Sequence, residues 1–513
     1  MTAAPRDPAL LDHFAHGVAS GDPLPTGVII WTRVTTDADE ADVRWIVATD
    51  EDLSDVVAAG VTRTGRERDH TVKIDVPGLL PGTRYFYAFE HDDGRSPVGR
   101  TRTAPVGDVD RLRIAFCSCA KYDDGYFNVY GRIADREDLD VVLHLGDYFY
   151  EYATDERSPG FHDMDRRMLP PHDCRTLDDY RTRYAQMRLD PDCQRLHLTH
   201  PTVHVHDDHE VADDRWREGA DNHDPTVDGP FDQRAAAALQ AWYEWLPVRV
   251  VDADRPERIY RRLPYGDLVD VVMLDCRTWR DEQSSPPAMY DQDREMLGQH
   301  QHDWACDQLS RSTATWKLVG NPVMVGQVYT TLISEELAGP LAELGILTDD
   351  VGSVTASADQ WDGYPAARAR LFSRLRGDQV RNVVFLSGDV HTSWAVELKE
   401  DPTLTVEPVG VEFVTTSITT QNLDEKLGDD VDIRAVEDDV RRGNPHIRWC
   451  EFDDHGYVVL DVTRDRLRAE WWAVETVLER DDGEYLVSAF EVREGTSRLY
   501  DADAGAGAAT DDA

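Results

Sequence analysis

Six apolar runs of this chain end in polar side chains, and this pattern limits the possible folds more than any other feature. From about residue 110 onward the runs are separated by longer polar or helical stretches, which is typical of an α/β domain. In open α/β sheets ligands bind outside the carboxyl ends of the strands. We therefore expect one site, formed by the residues that follow LRIAFC, DVVLHLG, PTVHVH, LVDVVMLD, WKLVG and NVVFLSG.

The residues at these strand ends favour a metal site with more than one ion. Asp147 is placed to bridge two ions, because carboxylates suit hard cations and can bind two of them. Tyr150 reaches the same ion if the chain turns helically after Gly146, and its phenolate suits a trivalent ion such as iron(III). Asp389 and His391 lie two apart, so in an extended segment both point to the same side and could each bind one ion.

Two of these features also have simpler explanations. The acid-rich segment from Asp207 to Asp214, DDHEVADD, needs cations if it is buried, since unpaired buried charge is costly, but needs none as an exposed loop. Cys119 follows a buried strand and is either an inert core thiol or a thiolate ligand. A lone buried Tyr150 could likewise be a packing residue.

The rest of the chain divides into flanking parts. Residues 1–107 contain short alternating strands and predict a small β-sandwich, in which LLPGTRYFYAF resembles the corner before a late strand of fibronectin-III-like domains. We expect this domain to pack or shield rather than to carry chemistry. The catalytic α/β domain then spans 108–495, and the low-complexity tail 496–513 is expected to be disordered.

The charge excludes some partners. With 99 acidic and 54 basic residues the formal net charge is −45, which repels nucleic acids and anionic membranes. Only five of the basic residues are lysines, and with the aspartate excess this indicates adaptation to high salt, although a merely acidic cytosolic protein remains the alternative. Seven cysteines are few and odd in number, which argues against a disulfide framework.

The N-terminal residues suggest a location. MTAAPRDPALLDHF has neither a twin arginine nor an apolar export segment, and the chain contains no run of the roughly 18 apolar residues that a membrane helix needs. The chain as it stands is therefore expected to be cytoplasmic. Export by the twin-arginine route is the alternative if the sequence was trimmed.

Eight motifs, in order, carry a resemblance to a known family. They are FAHGVASGDPLPTGVIIWTRV, FCSC, HLGDYFYE, DDYRTRYAQMRLDPDCQRLHLTHP, DDHEVADD, STATWKLVGNPVM, WDGYPAARARL and FLSGDVHTSW. Through them the chain resembles the alkaline phosphatase D (PhoD-like) family of metallophosphoesterases from about residue 14 to 475. The resemblance implies a four-layer αββα catalytic domain, a fibronectin-like N-terminal domain, and a site related to purple acid phosphatases that holds iron(III) and calcium.

The resemblance also implies a ligand set. The residues that match the iron ligands are Cys119, Asp147, Tyr150 and His391, with Asp147 bridging to the second ion. That second ion would be bound by Asp389 and, we expect, by Asp208.

Two departures from the family pattern bear on this ligand set. Asp213 and Asp214 stand where members often carry Asn-Asn, so a normally neutral calcium ligand is expected to be charged here. Both are candidate metal ligands. His206 stands where an aromatic residue, often Trp, commonly precedes the paired aspartates.

The expected reaction is hydrolysis of a small phosphate ester, in which a metal-bound hydroxide attacks phosphorus in line with the leaving oxygen. His209 is the candidate that stabilises the transition state or protonates the leaving group, unless it only orients a carboxylate. Arg277 directly follows a strand end and is the candidate guanidinium for the phosphate. Arg181 and Asn321 are further candidates for substrate binding.

Two other functions stay open. The same metal centre could support a phosphodiesterase or a phospholipase D-like enzyme with a wider pocket. A non-catalytic calcium- or phosphate-binding protein is the alternative outside the hydrolases. The sequence does not tell whether the segment 420–450 covers the site.

Overall fold

Residues 13–154, 164–329, 357–428 and 431–502 are described by the computed structural model. Runs rich in β-branched and aromatic residues form the strands, most of them bounded by glycine, proline or acidic turns. The N-terminal strands are β1 Val18–Leu24, β2 Gly27–Arg33, β3 Glu40–Ala48, β4 Val56–Gly65, β5 Thr71–Pro77, β6 Arg84–His91, β7 Gly94–Arg95 and β8 Gly99–Arg102.

These strands form the predicted β-sandwich, but one of its layers is shared with the rest of the molecule. One layer is a five-stranded sheet in the order β4-β3-β6-β7, with β8 paired to β6. The other layer, β1, β2 and β5, belongs to a ten-stranded sheet, because β1 pairs in parallel with a strand of the α/β domain through Ser20 and Gly21. At the predicted corner, the hydroxyl of Tyr85 accepts a hydrogen bond from the backbone N–H of Leu80 at 2.8 Å.

The α/β domain supplies the remaining strands. They are β9 Arg111–Cys117, β10 Val141–His144, β11 Pro201–His204, β12 Arg261–Tyr265, β13 Val269–Met273, β14 Trp316–Gly320, β15 Val383–Ser387, β16 Ser393–Leu398, β17 Gly410–Val414, β18 Ile447–Glu451, β19 Gly456–Thr463, β20 Arg466–Val474, β21 Glu484–Arg493 and β22 Leu499–Asp501.

Two large sheets result from these strands. The ten-stranded sheet has the order β22-β21-β20-β19-β9-β10-β11-β1-β2-β5, and its centre, β9-β10-β11-β1, is parallel. The seven-stranded sheet has the order β12-β13-β14-β15-β17-β16-β18, with a parallel centre from β13 to β17. The carboxyl ends of both parallel centres carry the predicted site residues.

Helices cover the outer faces of both sheets. They are α1 Asn128–Asp135, α2 Leu177–Leu189, α3 Pro191–Thr199, α4 Phe231–Trp245, α5 Gly298–Arg311, α6 Pro365–Gly377, α7 Leu423–Leu427 and α8 Ile433–Gly443, with short 3₁₀ turns at Arg66–Arg68, Ala288–Tyr290 and Trp361–Gly363. Local capping fixes several starts: the Thr176 side chain and Asp179 form a capping box at α2, and Asp190 caps α3 before Pro191.

Strand β15 shows how the layers are stacked. Val384 and Leu386 lie in the large apolar core with the ten-stranded sheet, whereas Phe385 between them lies in a second core with α5, α6 and α8. A strand buried on both faces reads as a continuous apolar run, as NVVFLSG does. The predicted four-layer αββα arrangement with an N-terminal β-sandwich is thereby confirmed.

The predicted disordered tail needs a correction at its beginning. Leu499–Asp501 form β22, which pairs with β21 and places the side chain of Leu499 in the core. Apolar burial and backbone pairing therefore order a stretch that its composition alone assigned to the tail. The remaining residues, 503–513, lie outside the described ones.

Candidate metal centre

The ends of β9, β10, β11 and β15 meet at one place because glycines allow close approach. Gly146 after β10 has φ +110°, and a Cβ there would lie 2.5 Å from the Cβ of Asp207. Gly388 after β15 is equally confined, since a Cβ would clash with the hydroxyl of Ser118 at the end of β9. The two sheets thus touch at the edge where the sequence predicted the site.

Cys119, Asp147 and His391 form the first group of possible ligands. One ligand atom from each lies within 4.8 Å of the other two. The Tyr150 hydroxyl donates a hydrogen bond to Oδ2 of Asp147 at 2.9 Å and lies 3.0 Å from Nε2 of His391. The structure therefore brings together all four residues that the family resemblance assigns to iron.

Asp147 also belongs to a second group with Asp207, Asp208 and Asp389, whose carboxylate oxygens lie within 4.8 Å of one another. A third group joins Asp208 to Asp213 and Asp214 by the same measure. Asp147 and Asp208 are therefore shared between neighbouring groups. Such sharing is what a centre with more than one cation requires, because one carboxylate can bind two ions.

Five of these residues have a backbone conformation that is rare outside glycine. The φ angles are +65° at Cys119, +52° at Asp147, +51° at Asp214, +70° at Asp389 and +56° at His391. Such conformations cost about 1–3 kcal/mol each and persist where the surrounding structure holds them. Their concentration here shows that the fold gives up stability to direct these side chains to one place.

Arg277 lies among the carboxylates rather than at the cavity surface. Its fully buried guanidinium pairs with Asp207, with Asp359 at 2.7 Å and with Asp389 at 3.0 Å, and lies 3.4 Å from Asp208. The prediction that Arg277 binds the phosphate directly is not supported by this geometry. Its N–H groups hold four acidic side chains together, because few other basic side chains lie near these carboxylates at this crowded end of the sheet.

The donor set fits bound cations. Burial, and then the neighbouring carboxylates, raise the pKa of Asp389 well above its usual value. Burial together with Asp359 and Asp208 raises the pKa of Asp214 to about 10. Oδ1 of Asp147 is buried and accepts no hydrogen bond from the described part of the chain. The protein itself does not neutralise these carboxylates, and one of their oxygens lacks a hydrogen-bond donor. Hard cations bind to such groups.

His209 is oriented by a buried carboxylate. Its Nδ1 lies 2.8 Å from Oε2 of Glu151, whose other oxygen accepts the backbone N–H of Asp213 at 2.7 Å. The ring packs against Tyr150 with centroids 4.0 Å apart and the ring planes tilted by 37°. Burial favours the neutral ring, but Asp208 and Glu151 outweigh it and raise the pKa of His209 well above its usual value. Nδ1 is therefore engaged, whereas Nε2 lies 3.8 Å from Oδ1 of Asp213, which lines the cavity together with the ring.

A cavity of about 320 Å³ opens over this centre. We call its charged part the acidic end: Asp147, Asp208, Asp213, Asp214, Asp359 and Asp389, beside His209 and His391. We call its other part the apolar wall: Met324, Val328, Val390, Trp394, Leu423, Val436, Val440 and Phe452. The segment 420–450 supplies α7 and α8 to this wall, and its residues 429–430 lie outside the described ones.

Lys426 on α7 is the one lysine or arginine among the described residues that line the cavity. It is exposed, and its side chain forms no hydrogen bond or ion pair with the described residues. Asp389 is close enough to interact with it electrostatically. Among the residues that the structure describes, Lys426 therefore has no carboxylate bound to it, although it lies beside the acidic end.

The structure places two predicted substrate contacts outside the cavity lining. Arg181 lies on α2, where it pairs with Glu244 at 2.7 Å and donates to the backbone oxygen of Glu67 in the sandwich. Asn321 is fully buried: its Oδ1 accepts from Cys276 at 2.9 Å and from Trp361 at 3.1 Å, and its Nδ2 donates to the backbone of Val323. Both side chains are thus engaged by other parts of the protein.

Other residues of the centre escaped prediction. Glu151 lies within the quoted HLGDYFYE motif and orients His209. Glu210 accepts the backbone N–H groups of Asp147, Tyr148 and Asp207 at 3.0, 2.8 and 2.8 Å, and so ties the ends of β10 and β11 together. The only feature of the sequence that could have indicated them is that both acids lie in apolar or metal-binding motifs. A carboxylate buried there without a partner is unfavourable, so each should have a bonding role.

The remaining sequence features have structural roles. His206 is buried edge-to-face against Trp242, with ring centroids 5.9 Å apart. Tyr148 packs behind the site, with its hydroxyl 2.9 Å from Nε2 of His197. All seven cysteines are buried and free, in line with the expected absence of a disulfide framework. None of the described helices is long and apolar enough to cross a membrane.

Comparisons with known proteins agree with this geometry. The family described as PhoD-like phosphatase matches residues 114–471, and the PhoD-like phosphatase N-terminal domain matches residues 2–105. Alkaline phosphatase D of Bacillus subtilis (strain 168) is 35% identical over 487 residues, which is 91% of this chain and 78% of that protein.

Solved structures give the same result. A structure of PhoD superimposes with a TM-score of 0.84 at 31% identity, over 97% of this chain and 93% of the other. A purple acid phosphatase from yellow lupin (Lupinus luteus) reaches a TM-score of 0.53 at 14% identity, over 93% of this chain and 73% of that one. At that identity the second likeness concerns the fold alone.

Proposed function

The chain belongs to the PhoD-like phosphatase family, and from this premise we propose that its metal centre hydrolyses phosphate esters as an alkaline phosphatase of the D type. The observation that carries the proposal is the position of Asp147. Its carboxylate belongs to three groups of possible ligands at once, one of which includes His209. Ion storage would not require a thiol, a phenol and an imidazole beside such a carboxylate.

We propose that iron(III) is bound by Cys119, Asp147, Tyr150 and His391, and calcium by Asp208 and Asp389 with Asp213 and Asp214. When bound, these cations supply Lewis acidity, which activates water and neutralises charge on the phosphoryl group. Thiolate and phenolate suit the softer or trivalent ion, whereas the purely carboxylate groups suit calcium.

The protein's own side chains would then position the ester and move protons. Nε2 of His209 lies beside Asp213 in the cavity lining while Glu151 holds Nδ1, so the imidazolium can give a proton to the leaving oxygen. The ammonium of Lys426 can pair with a phosphate oxygen that the acidic end would otherwise repel. Arg277 keeps the carboxylates in place without contacting the ester.

A phosphodiesterase is the second candidate, because the cavity continues beyond the acidic end along the apolar wall. A second alcohol on phosphorus could occupy that space. Monoester and diester turnover by the same preparation distinguish the two activities. A phospholipase D-like preference would appear among the diesters.

The test uses the full chain loaded with iron and calcium, and measures the hydrolysis of p-nitrophenyl phosphate and of its bis-ester. We expect turnover of at least one of these esters. In His391→Ala we expect this turnover to be lost, and elemental analysis should show that the iron is lost as well. Full turnover by a metal-replete His391→Ala protein would refute the ligand assignment. If the wild type turned over neither ester, the result would favour the non-catalytic calcium- or phosphate-binding alternative.

Other properties remain proposals of the same kind. The excess of acidic over basic residues supports activity at high salt and argues against nucleic acid as a partner. We propose a cytoplasmic location, with twin-arginine export as the alternative. The domain boundary near residue 107 is also a proposal.

A further inference from the structure

The cavity offers a substrate two very different surfaces. Six of the eight residues of the apolar wall, Met324, Val328, Trp394, Val436, Val440 and Phe452, belong to one hydrophobic cluster and are at least nine-tenths buried. The two others, Val390 and Leu423, are half-buried and pack against that cluster. Val390 stands between Asp389 and His391, so the wall begins directly at the acidic end.

The wall is a continuous apolar surface. Val436 and Val440 lie four residues apart on α8 and therefore face the same way. Trp394 and Phe452 pack with ring centroids 4.9 Å apart, and the indole N–H of Trp394 already donates to Oγ1 of Thr392 at 2.7 Å. The wall therefore offers a ligand carbon surface and no hydrogen-bonding group.

Polar side chains elsewhere on the lining are already engaged by the protein. Asp362 accepts from Arg368 at 2.5 Å and from the backbone N–H of Val328 at 2.9 Å. Thr392 donates to the backbone oxygen of Val390 at 3.2 Å. A hydroxyl-rich substituent entering this part of the cavity would lose its bonds to water and find few replacements.

In-line displacement at phosphorus directs the leaving group away from the attacking oxygen. A phosphate held at the acidic end therefore extends a substituent along the cavity. The volume of about 320 Å³ is at the lower end for small-molecule pockets. That size suits a phosphate with one aryl or short alkyl group.

We infer that this enzyme selects phosphate esters with an apolar aryl or short alkyl substituent, which the apolar wall binds. The inference rests on the proposed phosphatase function and adds the substrate class to it. The substituent is either the leaving group of a monoester or one of the two alcohols of a diester.

The experiment compares two monoesters of equal chain length and similar alcohol chemistry. The metal-replete full chain is assayed with n-hexyl phosphate and with 2-(2-hydroxyethoxy)ethyl phosphate by release of inorganic phosphate. We expect kcat/KM to favour the hexyl ester by at least about tenfold, because burying apolar carbon is favourable. The dihexyl and bis-hydroxyethoxyethyl diesters repeat the comparison and show whether the preference belongs to monoesters or diesters.

A nearly isosteric variant tests whether the apolar wall causes the preference for the hexyl ester. Val440→Thr adds a hydroxyl to the wall, and we expect the ratio of hexyl to polar kcat/KM to fall at least threefold. Val409→Thr is the matched control, since Val409 belongs to the same buried cluster but does not line the cavity. It should leave the ratio unchanged.

The outcomes separate the inference from the proposed function. Equal kcat/KM for the two esters in the wild type overturns the inference and leaves the phosphatase function standing. A ratio that falls equally in Val440→Thr and Val409→Thr also overturns it, since the wall would then have only a packing role. No turnover of any ester, p-nitrophenyl phosphate included, overturns the proposed function and the inference with it.

Discussion

The two parts of the cavity are built in different ways. The acidic end is held by the carboxyl ends of strands from both sheets, with left-handed backbone at Asp147, Asp214 and Asp389 and carboxylates shared between neighbouring groups. The apolar wall comes largely from α7, α8 and the segment after β14, and its members belong to an ordinary hydrophobic core. Val390 and Trp394 adjoin Asp389 and His391 in sequence, but the other members of the wall come from elements apart from the acidic end, so most of the wall should be changeable without altering the chemistry.

The largest effect is expected from a substitution that changes only the acidic end. Asp147→Asn removes the charge that three groups of possible ligands share. Metal binding should therefore weaken and kcat should fall about 1,000-fold, since a bound cation supplies several kcal/mol of transition-state stabilisation. Steady-state kinetics and elemental analysis on the same preparation measure both effects.

The matched control is Asp138→Asn. Asp138 is an exposed aspartate near the start of β10 that pairs with Arg113 at 3.1 Å. It should keep wild-type kcat and metal content. Wild-type kcat in Asp147→Asn at normal metal loading would show that Asp147 is not the shared ligand.

His209 comes next in size. His209→Gln keeps a polar side chain but loses the proton that the imidazolium can donate, so kcat should fall about 100-fold or more for alkyl phosphates. The fall should be smaller for p-nitrophenyl phosphate, because nitrophenolate leaves without a proton.

The dependence on the leaving group separates this role from a structural one. Equal losses for both kinds of ester would mean that His209 only orients its neighbours. Glu151→Gln should show the same dependence with a smaller loss, about 10- to 100-fold, because Glu151 acts through the orientation of His209.

Lys426 tests the boundary between the two parts. Lys426→Met keeps the length of the side chain and removes the charge, and we expect about a tenfold fall in kcat/KM, mostly through a higher KM, since one charge-assisted contact to phosphate is lost. Lys426→Arg should recover most of the loss. Lys399→Met, at a lysine that does not line the cavity, is the control. An unchanged KM in Lys426→Met would remove Lys426 from the binding site.

The acidic end and the apolar wall also differ in how well the sequence could predict them. The acidic end was accessible because Asp147, Asp208, Asp389 and His391 closely follow apolar runs, and the carboxyl ends of parallel strands meet at one edge of a sheet. Their roles as ligands remain predictions. The sequence could not show that Arg181 and Asn321 lie outside the cavity lining, because their partners, such as Glu244 and Trp361, are distant in sequence.

The apolar wall could not be predicted for a different reason. Val436 and Val440 have helical spacing, which indicates a buried helix face and does not tell whether that face meets a core or a cavity. Lys426 stands out only by the rarity of lysine in this chain. The N-terminal strands likewise predict a sandwich, but the pairing of β1 with β11 that joins it to the α/β domain leaves no local signal.

The smallest expected effect concerns the support of the wall. Glu412 on β17 is fully buried and accepts hydrogen bonds from the backbone N–H groups of Val325 at 2.8 Å and Gly326 at 2.7 Å and from Ser387 at 2.6 Å. It thereby holds the segment that carries Met324 and Val328. Glu412→Gln turns an N–H group toward one of these donors, which should cost about 1–3 kcal/mol and lower the hexyl preference no more than about threefold.

The pH dependence of that cost is fixed by the pKa of Glu412, which burial raises from 4.5 to about 7. Between these values the unfolded chain loses the proton while the folded one keeps it, so the contribution of Glu412 to stability is full below pH 4.5 and declines as the pH rises toward 7. The difference in Tm between wild type and Glu412→Gln should therefore be larger at pH 4.5 than at pH 8. Glu400→Gln, an exposed control, should show no such trend. A difference that grows with pH would mean that the three donors keep Glu412 ionised, and that the wall depends on a buried charge as the acidic end does.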